Sequence, residues 1–233
     1  MKSSFFDRKT VCIYLLILSL FLIVPLFGNR AVTAISQNAL WRNTVIIDAG
    51  HGGVDGGAVS CTGAFESHIN LEIALKLEDF MHLLGIRTVM IRNTDRSIYT
   101  QGNTIAAKKV SDIKERVRIV NATPNALLLS IHQNFFADSR YSGTQIFYND
   151  EPGSDLLADK LQSAFREKID PSNHRKIKKS SGVYLMEHIH CTGVLIECGF
   201  LSNPQEEAML RDTQYQTKLC GVIAATVSEY LNT

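Results

Sequence analysis

Thr44-Val45-Ile46-Ile47-Asp48-Ala49-Gly50-His51-Gly52-Gly53 opens on four β-branched residues and closes on glycines. A short apolar run of this kind packs as a buried strand, and the glycines let the chain turn sharply where it ends. His51 is thereby expected at the C-terminal edge of a sheet, where α/β folds build their sites.

Downstream the pattern alternates. Ser67 is placed to cap a helix running to about Leu84, because Ile69, Ile73, Leu77, Phe80, Met81 and Leu84 recur at helical spacing and Gly85 stops it. Arg87–Arg92 reads as a strand, Asn93–Val110 as a polar loop, and Ser111 or Asp112 as the start of a helix carrying Ile113, Val117 and Val120. Ala126–Ile131 is an apolar strand that ends at His132. Gly143–Tyr148 reads as a strand, Ser154–Ile169 as an amphipathic helix and Asp170–Ser181 as a loop. Val183–Met186 and Val194–Glu197 read as short strands, and Pro204–Leu231 as helix broken near Asp212-Thr213. Strands alternating with helices predict a single α/β domain over residues 44–233, with a mostly parallel twisted sheet flanked by helices.

Four side chains stand where one element gives way to the next. His51 and His132 follow strands, Glu66 begins the first helix, and Glu197 follows Val194-Leu195-Ile196. Two histidines and a glutamate from separate ends form a ligand set suited to a catalytic zinc ion, with a fourth position left open. Glu197, at the same edge, is suited to carry protons for a hydrolysis. Two histidines and a carboxylate also suit Fe(II), so the residues alone leave a non-haem iron enzyme open.

These residues sit in motifs that resemble the zinc-dependent N-acetylmuramoyl-L-alanine amidases of the Amidase_3 family. The motifs are Ile47-Asp48-Ala49-Gly50-His51-Gly52-Gly53, Glu66 with Asn70-Leu71, Ser130-Ile131-His132-Gln133-Asn134, and Glu197-Cys198-Gly199-Phe200-Leu201-Ser202-Asn203. The resemblance implies one zinc ion held by His51, Glu66 and His132, catalysis by Glu197, and contact of Asn134 with substrate. Arg116 and Asn121 match family positions and read as structural. The implied substrate is peptidoglycan, cut between muramic acid and L-alanine. Gly182-Val183-Tyr184-Leu185-Met186 and the preceding loop are similar to the sporulation branch of the family, which implies a role in spore cortex and muramic δ-lactam formation. That branch acts between the forespore and mother-cell membranes. An activating partner protein is expected, since no substrate-targeting module is apparent. An inactive or regulatory wall-binding protein on the same fold is the alternative, disfavoured because all four site residues are present.

Residues 1–30 read as a membrane anchor. Lys2, Arg8 and Lys9 precede an apolar run from Val11 to Phe27, about 17 residues and close to the minimum that spans a bilayer. The basic residues leave the N-terminus inside and export the rest. A signal peptide cut after Val32-Thr33-Ala34 is the alternative. Residues 31–43 read as a linker, and either way the body is expected outside the cytoplasm.

The formal net charge of +1 argues against nucleic acid as a partner. Five cysteines without a CxxC pair argue against a disulfide framework or a thiolate metal site. A single disulfide and a nucleophilic Cys198 remain alternatives. His68 and His82 read as surface or partly buried histidines, and His188-Ile189-His190 as a turn rather than ligands. His174-Arg175-Lys176 with Lys178-Lys179 reads as a solvated basic loop, with binding of stem-peptide carboxylates or anionic wall polymer as the alternative.

Overall fold

The computed structural model describes residues 43–233. The anchor or signal peptide expected over residues 1–30, and the linker up to Arg42, lie outside the described residues. Among the described residues no helix is long and apolar enough to cross a membrane.

Six strands build one sheet: β1 (Thr44–Ala49), β2 (Thr88–Met90), β3 (Ala126–Asn134), β4 (Gln145–Tyr148), β5 (Lys178–Lys179) and β6 (Gly193–Phe200). Their order across it is β2-β1-β3-β6-β4-β5. β2, β1, β3 and β6 are parallel, β4 runs antiparallel to β6, and β5 is parallel to β4. The sheet is therefore mixed; the expected parallel pattern fails at the β6–β4 pair. The helices are α1 (Glu66–Leu83), α2 (Ile105–Ala122), α3 (Ser154–Lys168), α4 (Tyr184–His188), α5 (Pro204–Leu210) and α6 (Thr213–Leu231).

Strand alternation splits the core in two. Ile47, Leu129 and Ile196 join Ile73 and Leu77 of α1, Phe165 of α3 and Ile223 of α6 on one face. Ile46, Leu128 and Leu195 meet Val120 of α2 and Leu185 and Met186 of α4 on the other. Each such side chain withdrawn from water contributes about 1.5–3 kcal/mol. Both faces of the central strands are covered, which is why those strands read as continuous apolar runs rather than alternating ones.

Three local expectations are corrected. α1 begins at Glu66 rather than after a Ser67 cap; its cap residue Phe65 supplies no side-chain bond. Ser67 lies buried in the first turn instead, its carbonyl held by Arg92 at 2.8 Å. α2 begins at Ile105, capped by Thr104, whose hydroxyl accepts from the Ala107 amide at 3.1 Å. Ser111 and Asp112, which look like caps, accept amides of the preceding loop: Thr100 and Gln101 donate to Ser111, and Ile98 to Asp112. Val183–Met186 is not a strand. Tyr184–His188 makes one helical turn, with the Tyr184 and His188 rings stacked at 3.8 Å and Glu187 accepting from the Gly182 amide.

Candidate metal centre

His51 stands two residues past β1 at φ 62, a left-handed conformation that a non-glycine residue adopts under constraint. The constraint is two buried guanidinium groups. Arg116 donates to the His51 carbonyl at 2.7 Å and to the Ala49 carbonyl at 3.0 Å. Arg92 donates to the Ala49 carbonyl at 2.8 Å and to the Gly50 carbonyl at 2.9 Å. Arg116 is in turn paired with Asp48 and, at 2.7 Å, with Asp112. Burial works to raise the Asp48 pKa, but Arg116 and the Ser130 hydroxyl outweigh it and hold the carboxyl below its usual range.

Around this loop three side chains converge. His51 Nε2 lies 3.2 Å from Glu66 Oε2, and His132 Nδ1 lies 3.0 Å from Glu66 Oε1. One donor atom from each residue falls within 4.8 Å of the others. Tetrahedral zinc at about 2.0–2.1 Å per ligand sets its donors roughly 3.3 Å apart, so a small closing motion suffices. Two glycines make the space. A Cβ at Gly50 would sit 2.3 Å from His132 Cε1, and one at Gly57 would sit 2.6 Å from Glu66 Oε2.

Two of the three are oriented from behind. His51 Nδ1 is bonded to Asp55 Oδ2 at 2.8 Å, and Asp55 is held by Lys109 at 2.6 Å. A carboxylate on the far nitrogen of an imidazole fixes the ring and its tautomer for metal binding. Glu66 accepts amides of Ala58 and Gln133 and the side chain of Asn70. Burial works to lower the His51 pKa, yet its bonds to Asp55 and Glu66 raise it to about 9. Burial works to raise Glu66, yet His132 and His51 pull it well below the ordinary carboxylate range. A strongly coupled donor set of this kind, in a cavity that glycines keep open, fits a divalent cation.

Glu197 is in register with His132 on the neighbouring strand, so the two share a face. Its Oε2 is sealed from solvent and has no hydrogen-bond partner among the described residues. Burial is the main cause that pushes its pKa up to about 7, with Glu66 adding to the rise and His132 opposing it. An unpartnered carboxylate poised near neutrality beside this donor set is equipped to take and return a proton.

The other expected residues separate. Asn134 ends β3 in register with Phe200, and its side-chain amide makes no hydrogen bond among the described residues. Asn121 ties α2 to the segment after α4, donating to the His188 carbonyl and accepting the His190 amide, a structural role. Cys198 points away from Glu197 into the first core, and burial raises its thiol pKa well above the usual value, so it is no nucleophile for this site. Cys61, Cys191, Cys198 and Cys220 are all free. His68 pairs with Asp95, His82 bonds Thr88, and His188 and His190 are exposed. Asp55, Arg92 and Lys109 were missed as contributors, and Asn70, though quoted in the Glu66 motif, was given no role; Asp55, four residues after His51, lies just past a quoted motif.

Residues 45–229 match the family model of the N-acetylmuramoyl-L-alanine amidases, Amidase_3. The germination-specific N-acetylmuramoyl-L-alanine amidase of Bacillus subtilis is 32% identical over 216 residues, covering 92% of this chain and 90% of the relative. The CwlD amidase of Clostridioides difficile, solved in complex with the GerS lipoprotein, superposes with a TM-score of 0.77 at 36% identity, over 81% of this chain and 98% of that one. An N-acetylmuramoyl-L-alanine amidase from Clostridium difficile 630 superposes with a TM-score of 0.71 at 30% identity, over 82% and 97%.

Proposed function

The chain belongs to the N-acetylmuramoyl-L-alanine amidase family, and from that membership we propose a zinc-dependent amidase of spore-cortex peptidoglycan. His51, Glu66 and His132 hold the ion, and Glu197 is the catalytic carboxylate. Once bound, zinc supplies a Lewis acid for the scissile carbonyl and acidifies a water. Glu197 takes the proton of the attacking water and returns it to the L-alanine nitrogen as the amide breaks. Asp55 and Asn70 keep His51 and Glu66 in place, so binding costs little reorganisation. Asn134 offers its free amide to the substrate at the same sheet edge.

The observation that carries this reading is the convergence of His51, Glu66 and His132 beside a carboxylate whose buried oxygen lacks a partner. The spore-cortex role is supported by the likeness to the germination-specific relative. The exported, membrane-tethered location is supported by the basic residues and apolar run before the domain. The GerS complex of the Clostridioides difficile relative supports a lipoprotein-like partner at the membrane surface.

The decisive experiment measures release of peptide from a muramyl-peptide substrate together with metal content. Zinc at one equivalent, with activity lost on chelation and restored by zinc, is the expected result. Cleavage that persists without metal would remove the mechanism. Cells lacking the chain are expected to lose muramic δ-lactam from their cortex; an unchanged muropeptide profile would remove the sporulation role.

A further inference from the structure

Arg175 departs from the solvated loop expected around it. His174, Lys176, Lys178 and Lys179 are exposed, whereas Arg175 is half-buried and fixed. Its guanidinium carbon lies 4.6 Å from the Phe200 ring centre and 5.8 Å from that of Tyr141, a stacking that holds a planar cation over an aromatic face. Nε donates to the Ser142 carbonyl at 2.7 Å and Nη1 to Gln145 Oε1 at 3.2 Å. Gln145 in turn donates to the Lys176 carbonyl, and Asn173 to the Thr144 carbonyl, pinning the loop to β4.

The cation lacks a carboxylate partner. Among the described residues no acidic oxygen lies within ion-pair distance of it, and Nη2 makes no hydrogen bond. Two carboxylates near the loop are otherwise engaged. Glu206 accepts the backbone amides of Gly143 and Phe200, both at 2.8 Å. Asp170 accepts the amide and hydroxyl of Ser172. A cleft of about 360 Å³ opens beside Arg175, lined also by Arg140 and His174. Arg140 is occupied by Asp138 at 2.7 Å.

Register places this free donor relative to the catalytic residues. His132, Glu197 and Gln145 form one row across β3, β6 and β4, on the same face. Strands stand about 4.8 Å apart, so Gln145 is roughly 10 Å from His132 and the Arg175 fork lies just beyond. Two residues of extended peptide span about 7 Å, and a charge-assisted bond adds roughly 3 Å. A peptide leaving the scissile amide along this row therefore brings the group on its second residue to Arg175. In the stem peptide of peptidoglycan that residue is a glutamate linked through its side chain, with its α-carboxylate left free.

Resting on the amidase reading above, we infer that Arg175, braced by Phe200 and Gln145, is a specificity-determining residue that binds the free α-carboxylate of the second stem-peptide residue. The test compares two muramyl tripeptides that differ only in whether that carboxylate is free or a primary amide. The full-length zinc-loaded chain is assayed as wild type, Arg175→Gln and Arg175→Lys. Losing a hydrogen-bonded charge partner corresponds to about 10- to 100-fold in kcat/KM, so the wild type should favour the free carboxylate by that factor. Arg175→Gln should bring the ratio close to one, and Arg175→Lys should leave an intermediate ratio, because charge remains while the fork is lost. A wild-type ratio near one overturns the inference. So does a ratio that survives Arg175→Gln, even where both rates fall together. Should Arg175→Gln fail to fold, Arg175→Lys decides, and an unaltered ratio there overturns it. A wild type that cleaves neither tripeptide refutes the amidase reading itself, and the subsite with it.

Discussion

Replacing Glu197 with glutamine keeps the side chain's shape and removes its ability to carry a proton. General acid–base catalysis contributes roughly 10²–10⁴-fold, so activity should fall by that factor, equivalent to about 3–5 kcal/mol of barrier. Stability should move the opposite way in protein stripped of metal. The carboxyl is pushed up to about 7 mainly by burial, which means the folded state binds its proton more tightly than the unfolded chain does. Stability is therefore lost as pH rises from the ordinary glutamate value through about 7. At about 1.36 kcal/mol per pK unit the penalty at pH 8 is at most roughly 3 kcal/mol, less to the extent that the side chain keeps solvent contact. Glutamine carries no charge and escapes it. Urea denaturation of chelated wild type and Glu197→Gln should give similar stabilities near pH 4.5 and a more stable variant at pH 8. Peptide release followed by chromatography gives the rate. A variant that cleaves within tenfold of wild type, or one that is less stable at pH 8, would refute the reasoning.

Asp55→Ala frees the far nitrogen of His51 and should weaken zinc binding by about 10–100-fold, read by competition with a chromophoric chelator. In chelated wild type, His51 is raised to about 9 by Asp55 and Glu66; its stabilising contribution is full below about 6.5 and is lost as pH rises through about 9. Thermal melts across that window should show a decline that is shallower in Asp55→Ala. Gly50→Ala drives a Cβ against the His132 ring and should lower zinc content by at least about tenfold, measured by atomic absorption; full occupancy would show that the ring has room to move. Arg116→Ala strands the buried Asp48 charge and should cost about 3–5 kcal/mol in urea denaturation, with Arg116→Lys recovering only part of it.

The sequence carries the site further than it carries its supports. His51, His132 and Glu197 were legible because each comes after an apolar run, a local pattern, although His132 and Glu197 lie within β3 and β6 rather than past their ends. Glu66 was legible as a helix start. Arg92 was hidden because its bond is long-range, reaching back 42 residues to the Gly50 carbonyl; Arg116, which reaches 65 to that of His51, was read as structural only through the family resemblance. An arginine that satisfies loop carbonyls has the same local neighbourhood as one on a surface. The β6–β4 reversal was hidden for a related reason, since a four-residue strand has no directional signature. Ser111-Asp112 misled because a side chain that caps a helix and one that catches a neighbouring loop's amides are the same residue types. Val183–Met186 misled because a four-residue apolar stretch fits one helical turn as well as a strand.

The two faces of β6 set Glu197 and Cys198 back to back, one toward the site and one into grease. A slip of the strand by a single position would exchange them, thrusting a carboxylate among isoleucines and leaving a thiol beside the imidazoles. Misthreading of this strand is thus punished by the buried carboxylate of Glu197 itself, so the residue proposed to carry the proton also guards the strand's register.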